Sequence, residues 1–184
     1  MTTIALYIAT SLDGYIARKN GSVDWLSTVE TGETDYGYAD FYQSVDALVM
    51  GRKTYEASVA LGSGEWVYPG KPCYVFTRQY QTSKQSDVFF TSGLPDRFVR
   101  DMAAEGLQRV WLVGGAELVA SFLKLQLIDE FILSIVPIFL GEGISLFTPP
   151  SSEVSLTVTD VQQYPSGLVQ LKYKQIDRAR SILS

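Results

Sequence analysis

The stretch Ala47-Leu48-Val49-Met50-Gly51-Arg52-Lys53-Thr54-Tyr55-Glu56 decides the reading of this chain. Four apolar residues without a polar break read as a buried strand, of the kind covered on both faces of a sheet. Gly51 ends the strand, and Arg52 to Leu61 reads as a helix closed by Gly62-Ser63-Gly64. A strand that feeds a helix through a glycine presents the helix's first N–H groups, and the positive end of its dipole, to an anion. Glycine lets a ligand approach the backbone closely. Arg52 and Lys53 add charge, and Thr54 adds a hydroxyl donor.

The same layout recurs downstream. Arg109 to Val113 reads as a strand, Gly114-Gly115 as a turn, and Ala116-Glu117 as the start of an apolar helix that runs to Leu125. This is not the G-x-G-x-x-G dinucleotide fingerprint, but a tandem glycine also brings backbone amides up to a pyrophosphate. A third strand, Cys73 to Thr77, ends on Thr77-Arg78, a hydroxyl and a guanidinium. Ligands of open α/β sheets bind outside the carboxyl ends of the strands. Three such ends carrying donors point to a cofactor with two or three anionic groups.

The rest of the chain builds outward from these turns. Ile4 to Thr10 reads as a buried strand. Residues 11–35 form a long irregular stretch with Gly14, Gly21 and Gly32, and loops of that length are usually functional. Asp35 to Ser44 reads as a short helix, Val88 to Thr91 as a strand, and Pro95 to Glu105 as a helix ended by Gly106. Phe131 to Pro137 reads as a strand. Val154 to Tyr164 and Leu168 to Ile176 alternate apolar and polar residues around Pro165-Ser166-Gly167, the pattern of a hairpin. The expected fold class is α/β: three αβα layers, a mostly parallel central sheet, and antiparallel C-terminal edge strands. Residues 1–177 are read as a single domain and 178–184 as a C-terminal tail.

Composition narrows the function classes. The chain has 184 residues, 46% apolar and 19% charged, with a net charge of −5. That balance suits a globular core and supplies no global positive field for nucleic acid. Histidine is absent, which excludes Ser-His-Asp and Cys-His catalysis and leaves no metal site expected. The lone Cys73 lies in an apolar run and reads as a small buried side chain in a reducing compartment. There is no basic leader and no apolar run of about 20 residues, so cytoplasm is the expected location and no membrane partner is expected.

Several of these motifs are familiar. Gly51-Arg52-Lys53-Thr54-Tyr55-Glu56 resembles the G-R-x-T-[WY]-E segment of the dihydrofolate reductase-like superfamily, and Val113-Gly114-Gly115 resembles that superfamily's second glycine turn. Ser11-Leu12-Asp13-Gly14-Tyr15-Ile16-Ala17 and Pro137-Ile138-Phe139-Leu140-Gly141-Glu142-Gly143 are similar to motifs of one branch. That branch is the C-terminal reductase domain of the bifunctional riboflavin-biosynthesis deaminase/reductase. The resemblance covers nearly the whole chain and implies NADPH as cofactor. It implies that Gly51, Arg52, Lys53 and Thr54 hold the adenosine-side phosphates, including the 2′-phosphate. Thr77 and Arg78 match the adenine ribose side. Gly114, Gly115, Ala116 and Glu117 match the pyrophosphate turn, with Leu118 behind it, and Ala9 and Ile16 match the positions that meet the nicotinamide. The Arg52/Lys53 pair suits a 2′-phosphate, which favours NADPH over NADH. Reductases of this branch often form homodimers.

Reduction of a C=N or C=O bond also needs a proton. In dihydrofolate reductases that role is linked to a carboxylate after the first loop. Counting forward from Trp25 reaches Glu30, and counting back from Gly51 reaches Asp35. Asp13, beside the expected nicotinamide, is a third candidate, with turn stabilisation as its alternative. Asp35 has helix capping as its alternative. Trp25, Tyr38, Phe41 and Glu142 are the candidate substrate contacts, and the aromatic character suits a flat heterocycle. One departure bears on the substrate. The riboflavin-pathway reductases carry an Asp-Pro-x-Leu-Thr-Arg type stretch tied to a ribose phosphate, whereas residues 61–69 here contain no arginine. The expected activity is therefore NADPH-dependent hydride transfer to a planar pterin- or pyrimidine-like heterocycle. The alternatives are the riboflavin-pathway 5-amino-6-(5-phosphoribosylamino)uracil reductase itself and a nucleotide-binding module without catalysis.

Overall fold

The computed structural model describes residues 1–32, 34–63, 65–79, 82–83, 85–147 and 153–176. Ten strands and four α-helices alternate along them. β1 (Thr3–Ser11) is followed by a short β2 (Tyr15–Ala17), a 3-10 turn (Asp24–Thr28) and α1 (Tyr38–Ser44). Then come β3 (Ala47–Gly51), α2 (Arg52–Leu61), β4 (Cys73–Phe76), β5 (Val88–Thr91), α3 (Pro95–Ala104), β6 (Arg109–Gly114) and α4 (Ala116–Lys124). The chain closes with β7 (Glu130–Val136), β8 (Ile144–Ser145), β9 (Leu156–Gln163) and β10 (Val169–Gln175).

Eight strands form one sheet in the order β5-β4-β3-β6-β1-β7-β10-β9. β1, β3, β4, β5, β6 and β7 run parallel, and β10 and β9 return antiparallel. The expected α/β class with an antiparallel C-terminal edge is what forms. The central strands are apolar throughout because both their faces are covered: all of Ala47 to Met50 is buried. On one face α1 and α2 set Phe41 and Tyr55 against Leu48, Met50, Val75 and Trp111. On the other, α3 and α4 set Phe98, Met102, Val119 and Phe122 against Leu6, Val49 and Leu112. α3 begins on Pro95, whose missing N–H costs nothing in a first turn, and buries Phe98 and Met102 at i, i+4. Burying a side chain such as Phe122 contributes roughly 1.5–3 kcal/mol relative to exposure.

The 11–35 stretch is more ordered than its composition suggests. Tyr15–Ala17 pairs with Ile144–Ser145 from the far end of the chain, making a second, two-stranded sheet. α1 begins at Tyr38 rather than Asp35, because Tyr36 and Gly37 are both left-handed (φ 57° and 76°). Arg178–Ser184, read as a tail, lies outside the described residues. Among the described residues no helix is long and apolar enough to cross a membrane, and no cluster of potential metal ligands occurs.

Candidate cofactor-binding site

The topology opens a crevice between β3 and β6. These strands are neighbours, with Met50 opposite Gly114. After β3 the chain crosses through α2 to β4 on one side; after β6 it crosses through α4 to β7 on the other. α2 and α4 pack on opposite faces of the sheet. The chain therefore parts in two directions at the carboxyl ends of β3 and β6, the place where doubly wound sheets hold their ligands.

Both glycine turns line this crevice and face each other. A Cβ built on Gly51 would lie 3.8 Å from the Gly115 amide nitrogen and 3.9 Å from the Gly114 carbonyl oxygen. One built on Gly115 would come within 3.0 Å of Thr54 Oγ1. Gly114 has φ +134°, a conformation L side chains rarely adopt, and the Ile8 side chain of β1 stands 3.6 Å from where its Cβ would be. The peptide joining Gly114 to Gly115 is cis. Neither Gly51 nor Gly115 brings a side chain to cap its helix, so the first amides of α2 and α4 have no side-chain acceptor. Lys53 and Glu117, one from each helix start, pair at 3.4 Å across the opening. Arg52 pairs with Glu56 one turn along α2, at 2.6 Å.

The remaining cofactor candidates lie on nearby segments. Thr77 and Arg78 follow β4, whose Phe76 is opposite Gly51. The Thr77 hydroxyl accepts from the Gln79 amide at 3.1 Å and holds the turn that exposes Arg78. Ala9 stands near the end of β1, which is the other neighbour of β6, and Ile16 packs on the core from β2. Leu118 is buried, and its amide donates to the Gly115 carbonyl at 3.0 Å. Its side chain supports the turn from behind. The structure thus brings both glycine turns and Thr54 to one crevice, with Thr77 following the neighbouring β4 and Ala9 on the neighbouring β1.

The carboxylate candidates are placed differently. Asp13 accepts from Ser11 Oγ at 2.6 Å, the Leu140 amide at 3.1 Å and the Gly141 amide at 2.7 Å. Desolvation pushes its carboxyl up, but these hydrogen bonds outweigh it and hold the group below the usual carboxylate range. It clips the loop after β1 to the loop after β7. Asp35 accepts from the amides of Ala39 and Gly37 at 2.9 and 3.0 Å, and those bonds lower it too. It caps α1. Glu30 is exposed after the 3-10 turn. Asp13 and Asp35 share no hydrogen-bond partner.

Among the substrate candidates, Trp25 is 2% exposed and packs with Val29, Val136 and Leu168; its surroundings are core, and its Nε1 is buried with no hydrogen-bond partner. Glu142 is exposed and pairs with Lys19 at 2.5 Å. Tyr38 and Phe41 do come together, in an aromatic cluster with Tyr7 and Trp111. Tyr7 and Phe41 also floor a groove of about 610 Å³ between α1 and the strands β7, β10 and β9. Its polar lining was not legible in the sequence. Gln170 is buried there and donates to the Tyr36 carbonyl and Ser134 Oγ, both at 3.2 Å. Only alternation along β10 hints that Gln170 faces inward.

Comparison with known proteins agrees with this architecture. The model of the RibD C-terminal domain matches residues 2–170. The chain belongs to the RibD C-terminal domain family. It is 43% identical over 168 residues to "Uncharacterized protein YwjB" of Bacillus subtilis (strain 168), covering 91% of this chain and 95% of that protein. Among solved structures, "Putative riboflavin biosynthesis protein" from Shewanella sp. PV-4 superposes with a TM-score of 0.87 at 34% identity, covering 96% of this chain and all of that one. Acinetobacter baumannii RibD superposes at 0.72 with 16% identity, and this RibD family chain spans 58% of its length. That likeness is one of fold, and it is the dihydrofolate reductase-like fold expected from the glycine turns.

Proposed function

We propose that this RibD-family chain is an NADPH-dependent reductase that transfers hydride to a planar pterin- or pyrimidine-like heterocycle. The observation that carries the reading is the facing pair of glycine turns. Two helix starts without side-chain caps and the Thr54 hydroxyl face one another there, and Arg52, Lys53 and Arg78 follow the strand ends beside them. A side chain at Gly115 would fill the space between them. Such a cradle fits a pyrophosphate with an additional phosphate at its α2 side. Bound NADPH would supply the hydride.

This chain's own residues bind and orient. Gly51 and Gly115 leave amides open to phosphate oxygens. Arg52, Lys53 and Arg78 neutralise the charge, with Lys53 exchanging Glu117 for phosphate. For the substrate side, the groove over Tyr7 and Phe41 offers ring faces, and the Gln170 amide with the Tyr36 carbonyl offers polar edges of lactam type. Asp13 positions the loops around the nicotinamide end through the Leu140 and Gly141 amides. The lack of arginine in residues 61–69 argues against a phosphoribosyl substrate.

The test is NADPH oxidation followed at its absorbance band with a panel of pterins and pyrimidines, alongside direct NADPH titration. Turnover with an unphosphorylated heterocycle supports the reading. Turnover with the phosphoribosylaminouracil alone would move the substrate to the riboflavin pathway. Tight NADPH binding without turnover would make the chain a nucleotide-binding module, and absence of NADPH binding would overturn the central claim.

A further inference from the structure

Among the described residues, Tyr36 is the one aromatic residue with a left-handed backbone (φ 57°). Tyr36 and Gly37 (φ 76°) form the centre of a turn, closed by the Tyr38 amide on the Asp35 carbonyl at 3.0 Å. Turns with two left-handed central residues ordinarily take Gly, Asn or Asp, because a Cβ crowds the backbone there. A residue held in such a conformation persists only where its surroundings over-determine it, and such residues cluster at working sites.

The surroundings of Tyr36 do this from both sides. Its ring meets Tyr164 edge-on at 4.8 Å, and its hydroxyl bonds the Val29 carbonyl and Ser166 Oγ. The side chain is an anchor to two distant segments. The carbonyl meets two others: the Tyr7 hydroxyl of β1 donates to it at 3.3 Å and the Gln170 amide of β10 at 3.2 Å. Both contacts lie at the long end for a hydrogen bond, so this oxygen is only weakly used. Tyr7, Tyr36, Tyr164 and Gln170 all line the groove over Phe41.

Strand register sets this acceptor beside the cofactor end of the sheet. Gln170 is opposite Ser134, and Ser134 is opposite Ala9, a nicotinamide candidate. Directly paired residues share a face. Gln170 also donates to Ser134 Oγ at 3.2 Å. The groups that converge here, one carbonyl, two hydroxyls and one amide, carry no formal charge. They suit a neutral ring edge that both donates and accepts.

We propose that Tyr36 determines which heterocycle the groove accepts. Its carbonyl takes the N–H of a lactam in place of the long bond from Tyr7. The Tyr7 hydroxyl then turns to donate to the neighbouring ring oxygen. The site therefore selects an unsubstituted N–H/C=O edge and refuses a ring alkylated at that nitrogen. The left-handed turn and the anchored ring fix the acceptor before the ligand arrives, so little freedom is lost on binding. This role rests on the groove being the substrate site, and it does not depend on hydride transfer.

Calorimetric titration of the full chain, with and without saturating NADP+, tests the proposal with two probes. One is 2,4-dioxopteridine; the other is its 1,3-dimethyl derivative, which keeps both carbonyls and lacks both lactam N–H groups. The wild type should bind the parent ring about tenfold or more tightly than the dimethyl ring. Tyr36→Asn suits the left-handed turn and keeps a carbonyl, but it loses the anchor against Tyr164, Val29 and Ser166. It should weaken the parent by about tenfold, leave the dimethyl ring nearly unchanged, and so cancel the preference. Tyr36→Phe, which retains the ring against Tyr164, should keep most of the preference. Binding of neither ring, equal binding of both by the wild type, or a Tyr36→Asn variant that weakens both alike would each overturn the role of Tyr36. Turnover separates this from the reductase reading. Selective binding of the parent with no NADPH oxidation on any heterocycle would overturn the reductase and leave Tyr36 its role. NADPH oxidation equally fast with both rings would overturn the role of Tyr36 and leave the reductase.

Discussion

Gly115→Ala probes the cradle between the two turns. The new methyl would come 3.0 Å from Thr54 Oγ1, inside ordinary van der Waals contact. Backbone angles at Gly115 (φ −85°, ψ −168°) lie within the extended region open to any residue, so the cost is one of contact. The atom in the way belongs to a β-branched side chain in the first turn of α2, which has few rotamers to escape into. Relief therefore requires α2 and α4 to part by a few tenths of an ångström. Overpacking of this kind costs about 1–3 kcal/mol, and the small displacement puts the expectation near the lower end. Thr54→Ala removes the hydroxyl and should relieve most of that cost. Urea unfolding of the wild type, both single variants and the double variant then yields a coupling of about 1 kcal/mol of opposite sign to the single losses. Cofactor binding behaves differently. The methyl occupies the space between the amides of both turns, so NADPH affinity should fall by about tenfold or more in Gly115→Ala and should not recover in the double variant. Strictly additive stabilities would refute the contact argument. Unchanged NADPH affinity in Gly115→Ala would refute the placement of the phosphates.

Three further outcomes follow from other parts of the molecule. Arg52→Ala should weaken NADPH far more than NADH in paired titrations, and equal losses would remove Arg52 from 2′-phosphate recognition. Burial pushes the Cys73 thiol up to about 12 and leaves it no solvent access, so it should resist thiol reagents in the native chain and react only as urea unfolds it; rapid native labelling would contradict the packing of β4. The Ala39 and Gly37 amides depress Asp35, so its contribution to stability is complete above its ordinary value of 3.8 and is lost as pH falls through the lower, native value. In acid unfolding curves Asp35→Asn should lose part of the pH dependence in that window, and an unaltered curve would show that the cap contributes nothing.

What the sequence made legible was whatever local chemistry punctuates. α2 runs from Arg52 to Leu61 as read, since Gly51 and the Gly62 turn bracket it. β5 and the glycine turn after β6 are equally local. β2 and β8 were not legible, because each exists only by pairing with the other across more than a hundred residues. Gly143 matters for the same long-range reason: a Cβ there would stand 2.4 Å from the Ala17 carbonyl. The carboxylates show a different limit. The motif after β1 locates Asp13 and counting along the chain locates Glu30 and Asp35, but neither says which backbone amides they meet. Trp25 illustrates the converse, since an aromatic in a glycine-rich loop reads equally as a lid or an anchor until Val136 and Leu168 are seen around it.

The placement of those carboxylates bears on how the reaction obtains its proton. An acid that donates near neutral pH must hold its proton there, which requires a raised pKa. Asp13 and Asp35 are both held below the carboxylate range by amides that favour their charged forms. Each is an acceptor already used. Histidine is absent, and burial raises Tyr7 further above its ordinary value, so its hydroxyl stays protonated throughout and adds no titration limb near neutral pH. A planar heterocycle reduced at a C=N bond places its new charge on a ring nitrogen, which water entering the open groove can protonate. The expected rate profile of turnover at saturating NADPH is therefore flat between about pH 5 and 8, with no carboxylate or imidazole limb. Asp13→Asn should leave that shape unchanged. Any loss in rate should come from loosening the Leu140 and Gly141 clip, visible as faster amide exchange at those two positions. A limb near pH 6 that disappears in Asp13→Asn would instead make Asp13 the acid, and would require its hydrogen bonds to break when substrate and cofactor are both bound.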